Sequence, residues 1–157
     1  MSEAIYSAEN KKNFSADGME VLFFTLGEKV YGIEIDYVQE IIGIEQITVV
    51  PKIPEYIKGV INIRGKVVPV ISVRKRFGIE EIPYDDRTCI IVLEFENGTQ
   101  VGIIVDRVQE VVVVDKNIVS KVPDSKNVNS NKYIKSIINS ADSIKLLLDC
   151  DKLIRNE

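Results

Sequence analysis

The sequence of 157 residues contains no histidine. Histidine is the usual general base near neutral pH, the commonest metal ligand, and the side chain that carries the phosphoryl group in histidine phosphotransfer. Its absence argues against the most common kinds of catalytic site, metal site and phosphocarrier. The sequence also has no glycine-rich phosphate loop and no Cys-x-x-Cys pair. We therefore predict a protein that binds no cofactor and no metal.

Tryptophan is missing as well, which leaves little material for a sugar-stacking groove. Cysteine is scarce, because only Cys89 and Cys150 are present and each lies inside an apolar run. Buried, reduced thiols are common in such a setting, so we expect this state rather than a disulfide between the two.

An excess of basic charge is absent too, since 20 Lys and Arg residues stand against 24 Asp and Glu residues, for a formal net charge of −4. Nucleic-acid surfaces need clustered cations to displace counterions from phosphates, so protein partners are favoured. No apolar run approaches the length of a membrane span, and residues 1–18 lack the apolar segment of a secretory signal. We expect a cytoplasmic protein whose residues 1–18 form a mobile polar tail.

The sequence does contain an internal repeat. Residues 32–40 match residues 102–110 at an offset of 70, with six of nine positions identical, and residues 56–62 match residues 133–139 at an offset of 77. Two copies are too few for an open array of short units, so we predict two small globular halves that share a core. Their boundary is expected within residues 78–86, where charge, glycine and proline interrupt the apolar runs.

Positions that agree between the copies are expected to be architectural, because both halves need them to fold. Positions that differ are freer to carry function. The agreeing pairs are Asp36 with Asp106, Gln39 with Gln109, and Asn62 with Asn139. The sharpest difference is Ile63-Arg64-Gly65 in the first copy against Ser140-Ala141-Asp142 in the second.

Short segments rich in Val and Ile, separated by turn residues, predict an all-β protein made of small barrels. Helical structure is expected to be minor: a turn around residues 55–59, another over residues 73–77 that ends at Gly78, and a final helix from Asp149 or Cys150 to Arg155. The predicted strands span residues 20–26, 30–36, 38–44, 66–73, 88–96, 99–106, 108–114 and 143–149.

Two local signals concern the strands themselves. Asn97-Gly98 is a strong hairpin signal, because both central residues of a tight primed turn need positive φ. Pro69 lies inside a predicted strand and has no N–H to donate to a neighbouring strand. This places Pro69 at a sheet edge or a bulge, and an edge is a place where a partner can dock.

Six motifs, taken in order and spacing, resemble the CheW family of chemotaxis coupling proteins over nearly all of the chain after the tail. The most specific is Asn-x-Arg-Gly preceded by Ile-Lys-Gly. The motifs are Phe24-Thr25-Leu26-Gly27, Tyr31-Gly32-Ile33, Val38-Gln39-Glu40-Ile41, residues 57–65, Val68-Pro69-Val70 and residues 101–106.

The resemblance implies two intertwined five-stranded SH3-like barrels that share a core, with short helical turns and a C-terminal helix. We expect a single CheW-like domain over residues 19–157. Its first barrel would span residues 19–82 and its second barrel, with the C-terminal helix, residues 83–157, and strand exchange between them is allowed.

The implied function is that of a non-catalytic adaptor that couples chemoreceptors to the histidine kinase CheA. Its partners would be the regulatory CheW-like domain of CheA and the cytoplasmic tip of methyl-accepting receptors, with no direct insertion into the membrane. The protein would lie in the cytoplasm, associated with membrane-bound receptor arrays.

The resemblance also implies two sets of site residues. For receptor binding they are Val38, Glu40, Ile41, Gly59, Arg64 and Ile90, with the three aliphatic side chains lining an apolar groove between the barrels. For kinase binding they are Val49, Val50 and Val67, near the strand of Pro69, in a contact of about 800 Å² per partner.

Each of these interpretations has a structural alternative. Arg64 is also explained as a solvated arginine in a hairpin turn, although an Arg fork that occurs in only one copy suits the recognition of a protein partner. Glu40 recurs as Glu110 and is then architectural, and any Val or Ile in a strand is most often core. The runs Arg74-Lys75-Arg76 and Asp85-Asp86-Arg87 are explained most simply as solvated charges.

Three other functions remain to be compared with the adaptor. A coupling protein of a non-flagellar array, for twitching or gliding, would have the same sequence features. An enzyme would have to use carboxylates alone, with Glu40 and Glu110 or Asp36 and Asp106 as candidates. An RNA-binding double barrel is disfavoured by the acidic balance and by the lack of a basic face with aromatic side chains.

Overall fold

The computed structural model describes residues 18–122 and 132–155. The predicted tail lies outside these residues except for Gly18, which begins the first strand. The helices of the described residues are α1 (Val73–Arg76) and α2 (Cys150–Ile154), with 3-10 turns at Ile35–Tyr37 and Lys116–Ile118. The strands are β1 (Gly18–Leu26), β2 (Lys29–Glu34), β3 (Val38–Gly43), β4 (Ile57–Ile63), β5 (Lys66–Ser72), β6 (Cys89–Glu94), β7 (Gln100–Val105), β8 (Arg107–Asp115), β9 (Val119–Lys121), β10 (Ile134–Ser140) and β11 (Ser143–Leu148).

The strands form two sheets, one with the order β8-β1-β2-β11-β10-β9 and one with the order β3-β6-β7-β5-β4. The predicted all-β class is confirmed. The first sheet has six strands rather than five because the short strand β9 pairs with β10. The second sheet has only a single bridge, Thr48 to Val60, at the corresponding place.

The chain separates into two compact units. The inserted unit is Tyr37–Val108, and the terminal unit combines the residues up to Asp36 with those from Gln109 onward. These units are not the consecutive halves 19–82 and 83–157 that the sequence predicted. In each unit a hairpin from one copy of the repeat lies in the same sheet as strands from the other copy, which is strand exchange.

Parallel pairing decides this arrangement. In the terminal unit β2 pairs in parallel with β11, with Gly32 opposite Leu147, and in the inserted unit β7 pairs in parallel with β5, with Gly102 opposite Val70. The two pairings are equivalent, because the repeat relates Gly32 to Gly102 and Val70 to Leu147. Parallel neighbours are never joined by a tight turn and come from distant parts of a chain. Local sequence patterns therefore locate the hairpins but do not reveal which copy supplies the next strand.

The repeat also appears in single hydrogen bonds. The backbone N–H of Ser72 donates to the carbonyl of Tyr56 at 2.8 Å, and that of Asp149 donates to the carbonyl of Tyr133 at 2.8 Å. The side chains of Ser72 and Asp149 then cap α1 and α2 by accepting from the third residue along the chain. Both predicted short helices, over residues 73–77 and at the C-terminus, are confirmed by these elements.

The predicted helical turn around residues 55–59 is wrong, because β4 begins at Ile57. This strand carries a bulge between Ile57 and Gly59, and β10 has the same irregularity between Ile134 and Ser136. Gly59 has a φ of 146°, and a Cβ there would lie 2.1 Å from the carbonyl oxygen of Thr48. The glycine thus allows the backbone of β4 to lie close to that of Thr48. The local sequence does not predict this contact.

The Asn97-Gly98 hairpin is confirmed, but its turn is not the predicted primed type. Gly98 has a φ of 88°, whereas Asn97 does not belong to the positive-φ residues. The Asn97 side chain instead accepts from the N–H of Thr99 at 2.9 Å, and the loop closes through a Phe95 to Thr99 hydrogen bond. Three-residue hairpin loops with one left-handed glycine are a common alternative.

The prediction that Pro69 lies at an edge or a bulge is wrong, because β5 runs between β7 and β4. Pro69 is opposite Val60, whose own N–H and carbonyl bond to Thr48 on the other side of β4. The missing N–H of Pro69 is therefore not needed by β4. The parallel pairing with β7 begins one residue later, at Val70.

Each unit has an apolar core. In the inserted unit Ile61, Val68, Val70 and Ile90 form part of it, and in the terminal unit Val21, Phe23, Ile138 and Leu147 do. The two cysteines are free thiols, as predicted, but only Cys150 is buried, whereas Cys89 is half-buried. Burial raises the pKa of both, most strongly for Cys150, which keeps them protonated and unreactive near neutral pH.

Candidate interaction site

The candidate site begins with the turn between β4 and β5. Arg64 has a φ of 49° and Gly65 a φ of 85°, so both central residues of this two-residue turn are left-handed. Asn62 stabilises the turn by accepting from the N–H of Gly65 at 2.9 Å. A left-handed backbone costs free energy for any residue with a side chain, and Arg64 adopts it nonetheless. The Arg64 side chain is 72% exposed.

Glu40 lies on β3 just after a register shift in the pairing with β6. Its Oε2 accepts from Nη2 of Arg64 at 2.6 Å, and the two side chains form an ion pair within the inserted unit. β3 and β4 are the two ends of the five-stranded sheet, so this ion pair joins the sheet's opposite edges. An exposed ion pair adds at most about 1 kcal/mol to stability, and its main effect here is to orient the guanidinium.

The second copy cannot form the same pair. Glu110 corresponds to Glu40 and is exposed on β8, but Ala141 stands where the first copy has Arg64. The glutamate agrees between the copies, but only the first copy has an arginine at the equivalent turn position. This asymmetry supports a functional interpretation of the Glu40 and Arg64 pair.

The other residues predicted to bind the receptor are less accessible. Val38 is 9% exposed, and Ile41 is half-buried on β3. Gly59 is buried, where its lack of a side chain serves the contact with Thr48. Ile90 is completely buried in the core of the inserted unit. Its proposed place in an exposed groove is therefore corrected, because Ile90 lies on the face of β6 that packs into the core.

Two of the three residues predicted to bind the kinase are strongly exposed. Val49 is 76% exposed and Val67 is 68% exposed, while Val50 is half-buried. Val67 lies on β5 opposite Asn62, next to the Arg64 turn. In the terminal unit Ile144 lies opposite Asn139 at the equivalent position and is 64% exposed. Exposed aliphatic residues of this kind are candidates for contact with a protein partner.

Arg74 is not the solvated charge that the sequence predicted. Its Nε and Nη2 donate to the two carboxylate oxygens of Asp106 at 2.9 and 2.6 Å, and its side chain is only 13% exposed. The hydrogen bond with Asp106 is the main reason that the pKa of Arg74 is raised. The sequence marked Asp106 as architectural because it agrees with Asp36, but it did not indicate that Arg74 is the residue that binds it. Arg76 is not simply solvated either, because its guanidinium lies 3.9 Å from the ring centroid of Tyr56.

A groove of about 380 Å³ lies in the inserted unit and was not predicted. It is lined by Ile47, Val49, Lys58, Glu81, Ile82, Pro83 and Tyr84. Nζ of Lys58 and Oε1 of Glu81 are 2.9 Å apart in its wall. Burial alone would raise the pKa of Glu81, but hydrogen bonds from Lys58 and Ser72 outweigh burial and lower it. The lining thus combines apolar side chains with one internally neutralised ion pair.

In the described parts of the chain, no group of three or more Asp, Glu or Cys side chains is placed to hold a metal ion. No helix in those parts is long and apolar enough to cross a membrane. At the turn between β4 and β5, the exposed side chain of Val67 lies next to an oriented guanidinium, a combination that suits recognition of another protein.

The model of the CheW-like domain matches residues 20–157. This chain belongs to the CheW-like domain family. A chemotaxis protein CheW from Klebsiella aerogenes is 37% identical over 140 residues, which cover 89% of this chain and 84% of that protein. The chemotaxis protein CheW of Bacillus subtilis is 30% identical over 140 residues and covers 89% of both chains.

A solved structure extends the likeness to the fold. The crystal structure of the scaffolding protein TtCheW from Thermoanaerobacter tengcongensis matches with a TM-score of 0.81 at 32% sequence identity. The match covers 88% of this chain and 94% of that chain. The predicted resemblance to the CheW family is confirmed, and the two sheets agree with SH3-like barrels of a CheW scaffold.

Proposed function

We propose that this protein is a non-catalytic adaptor that couples chemoreceptors to the histidine kinase CheA in bacterial chemotaxis. The observation that carries the proposal is the Glu40 and Arg64 ion pair, present in one copy of the repeat and accompanied by the exposed side chain of Val67 next to the Arg64 turn. Membership of a family whose relatives are named chemotaxis and scaffolding proteins supports it. The names of those relatives favour chemotaxis over twitching or gliding.

The receptor is proposed to bind at Glu40 and Arg64, with Val38 and Ile41 as apolar neighbours on β3. An Arg fork makes planar, directed hydrogen bonds with carboxylates and carbonyls of a protein partner. Glu40 holds this fork in place before the receptor binds, so less side-chain entropy is lost on binding. The receptor partner is the cytoplasmic tip of a methyl-accepting receptor, which places the protein in the cytoplasm beside membrane-bound arrays.

The kinase is proposed to bind where Val49 and Val67 are exposed, with Val50 beside them. The partner there is the regulatory CheW-like domain of CheA. An interface of about 800 Å² on each side would need a few buried aliphatic anchors, and these two residues supply them. The residues proposed to contact the receptor differ from those proposed to contact the kinase, although Val67 lies next to the Arg64 turn.

The test is reconstitution with receptor-containing membranes, CheA and this protein. We expect the wild type to sediment with the membranes, to recruit CheA and to increase phosphorylation of the kinase. Arg64→Ala should lose receptor co-sedimentation while CheA binding in solution persists. If Arg64→Ala is folded and still supports full recruitment and activation, the proposed receptor site is wrong.

A further inference from the structure

Residues 79–84, here called the strap, run along the inserted unit between α1 and β6. The N–H of Ile79 donates to the carbonyl of Arg74 at 2.8 Å, and Nη1 of Arg74 donates to the carbonyl of Glu80 at 2.7 Å. Further along, Glu81 is held by Lys58 at 2.9 Å. The start of the strap is therefore attached at both its backbone and its side chains.

Arg74 connects the strap to a rigid part of the fold. Besides the carbonyl of Glu80, its guanidinium binds both oxygens of Asp106, which directly follows the inner strand β7. A bidentate pair with a largely buried guanidinium fixes direction as well as distance. Through Arg74, the position of the strap is therefore set by the central strands of the five-stranded sheet.

Ile82, Pro83 and Tyr84 of the strap line the groove together with Ile47 and Val49. Ile82 and Tyr84 are 47% and 43% exposed. Val49 belongs both to the groove and to the proposed kinase surface. The groove is thus continuous with that surface, and its width depends on where the strap is held.

The second copy of the repeat lacks this arrangement. The position equivalent to Arg74 is Asp151, and the position equivalent to Asp106 is Asp36, so the terminal unit has two acids there. A sheet of the same strand order folds in the terminal unit without such a pair. The fold itself does not require the Arg74 and Asp106 pair, which makes it a specific property of the unit with the groove.

We propose that Arg74 is a positioning residue for kinase binding, holding the strap so that Ile82 and Tyr84 form a preformed part of the groove lining that also contains Val49. The inference rests on the proposed function, because it takes the kinase as the occupant of the groove. An apolar side chain of CheA would enter the groove and contact the strap as well as Val49. A wall that is already in place binds more tightly than one that must be ordered on binding.

The test measures CheA binding by calorimetry for the wild type, Arg74→Gln and Arg74→Lys, at a temperature where thermal unfolding shows every variant to be folded. We expect Arg74→Gln to raise the Kd about tenfold, a loss typical of a moderate interface residue. Arg74→Lys should give a smaller increase, because lysine can still contact Asp106 but cannot reach Glu80 at the same time. Hydrogen exchange should be faster at the strap amides of Arg74→Gln.

Arg76→Gln is the matched control, because it removes the same charge from the same helix but faces Tyr56 instead of the strap. It should leave the strap exchange unchanged and the Kd within about twofold. If Arg74→Gln loosens the strap but binds CheA like the wild type, or if its strap exchange is unchanged, the positioning role is overturned. If the wild type itself does not bind CheA, the proposed function has failed, and this inference fails with it.

Discussion

The carboxylate of Glu40 on the edge strand β3 lies 2.6 Å from the guanidinium of Arg64, in the turn that follows the other edge strand, β4. Most exposed ion pairs contribute little to the stability of the folded state. Here the arginine occupies a left-handed turn position, which a non-glycine residue adopts at a cost in free energy. A contact between the Arg64 side chain and a partner would explain why an arginine, rather than a glycine, occupies this position.

Arg64→Ala and Glu40→Gln should therefore affect binding much more than stability. We expect each variant to change the free energy of unfolding by no more than about 1 kcal/mol, because the pair is exposed. Receptor binding should weaken about tenfold or more for Arg64→Ala and less for Glu40→Gln, which removes only the orienting charge. Urea unfolding and receptor co-sedimentation measure the two effects. Glu110→Gln is the control and should leave both unchanged.

Gly59→Ala should destabilise the protein strongly. The new Cβ would lie 2.1 Å from the carbonyl oxygen of Thr48, and the φ of 146° is strained for any side chain. A loss of about 3 kcal/mol or more is expected in the free energy of unfolding. Gly43→Ala is the control, because a Cβ at Gly43 meets no atom within 4 Å.

The same variant separates two interpretations of Gly59, which the sequence resemblance assigned to receptor binding. If receptor binding by Gly59→Ala, measured only on the folded fraction, equals that of the wild type, the role of Gly59 is structural. A folded and stable Gly59→Ala protein with selectively lost receptor binding would contradict the backbone argument.

Val67→Asp should weaken CheA binding while leaving the fold intact. Val67 is 68% exposed, so the new carboxylate remains in water until a partner covers it, where burial of an unpaired charge is costly. We expect the Kd to rise at least tenfold in a titration followed by fluorescence anisotropy. Ile144→Asp is the matched control, being 64% exposed at the equivalent position of the terminal unit. If both variants weaken CheA binding equally, the kinase does not bind specifically through Val67 of the inserted unit.

The buried thiol of Cys150 should make stability depend on alkaline pH. Burial raises its pKa above the ordinary value of 9.0, so the folded state retains a proton that the unfolded chain releases. Its contribution is complete below about pH 9 and is lost as the pH rises toward the folded pKa, by at most about 1.4 kcal/mol per pH unit.

Urea unfolding of the wild type and Cys150→Ala between pH 7 and pH 10 measures this dependence. Cys150→Ala has a lower stability throughout because of the cavity it creates, but its stability should fall less steeply above pH 9. Identical slopes for the two proteins would mean that the thiol titrates normally in the folded state.

Local sequence signals were sufficient for much of the fold. Val- and Ile-rich segments bounded by turn residues located β1, β2, β3, β5, β6, β7, β8 and β11 to within about two residues, since the pattern of apolar side chains is a local property. The short helix starting at Val73 was predicted from its end at Gly78. The short strand β9 was missed, and so were β4 and β10, whose repeated motif begins at a tyrosine and a bulge that resemble a turn.

The candidate site was predicted unevenly. Arg64 and Glu40 were selected individually. Val49, Val50 and Val67 were selected for the kinase surface, and the structure shows that Val49 and Val67 are exposed. The ion pair between Glu40 and Arg64 was not foreseen, because the two residues are 24 positions apart and meet only when the sheet curls. Ile90 was selected for a groove and is buried, since the continuous apolar run around it does not show which face of the strand is covered by the core.

The sequence by itself determined the all-β class, the duplication, the free thiols and the Arg64 turn, because these depend on residue type, spacing and local backbone preference. Tertiary structure decided which strands share a sheet, that β5 is an inner strand, and that Arg74 binds Asp106 and holds the strap. These features depend on contacts between distant segments. The free energy of such contacts comes from packing and charge pairing in three dimensions, which a single sequence specifies only through the completed fold.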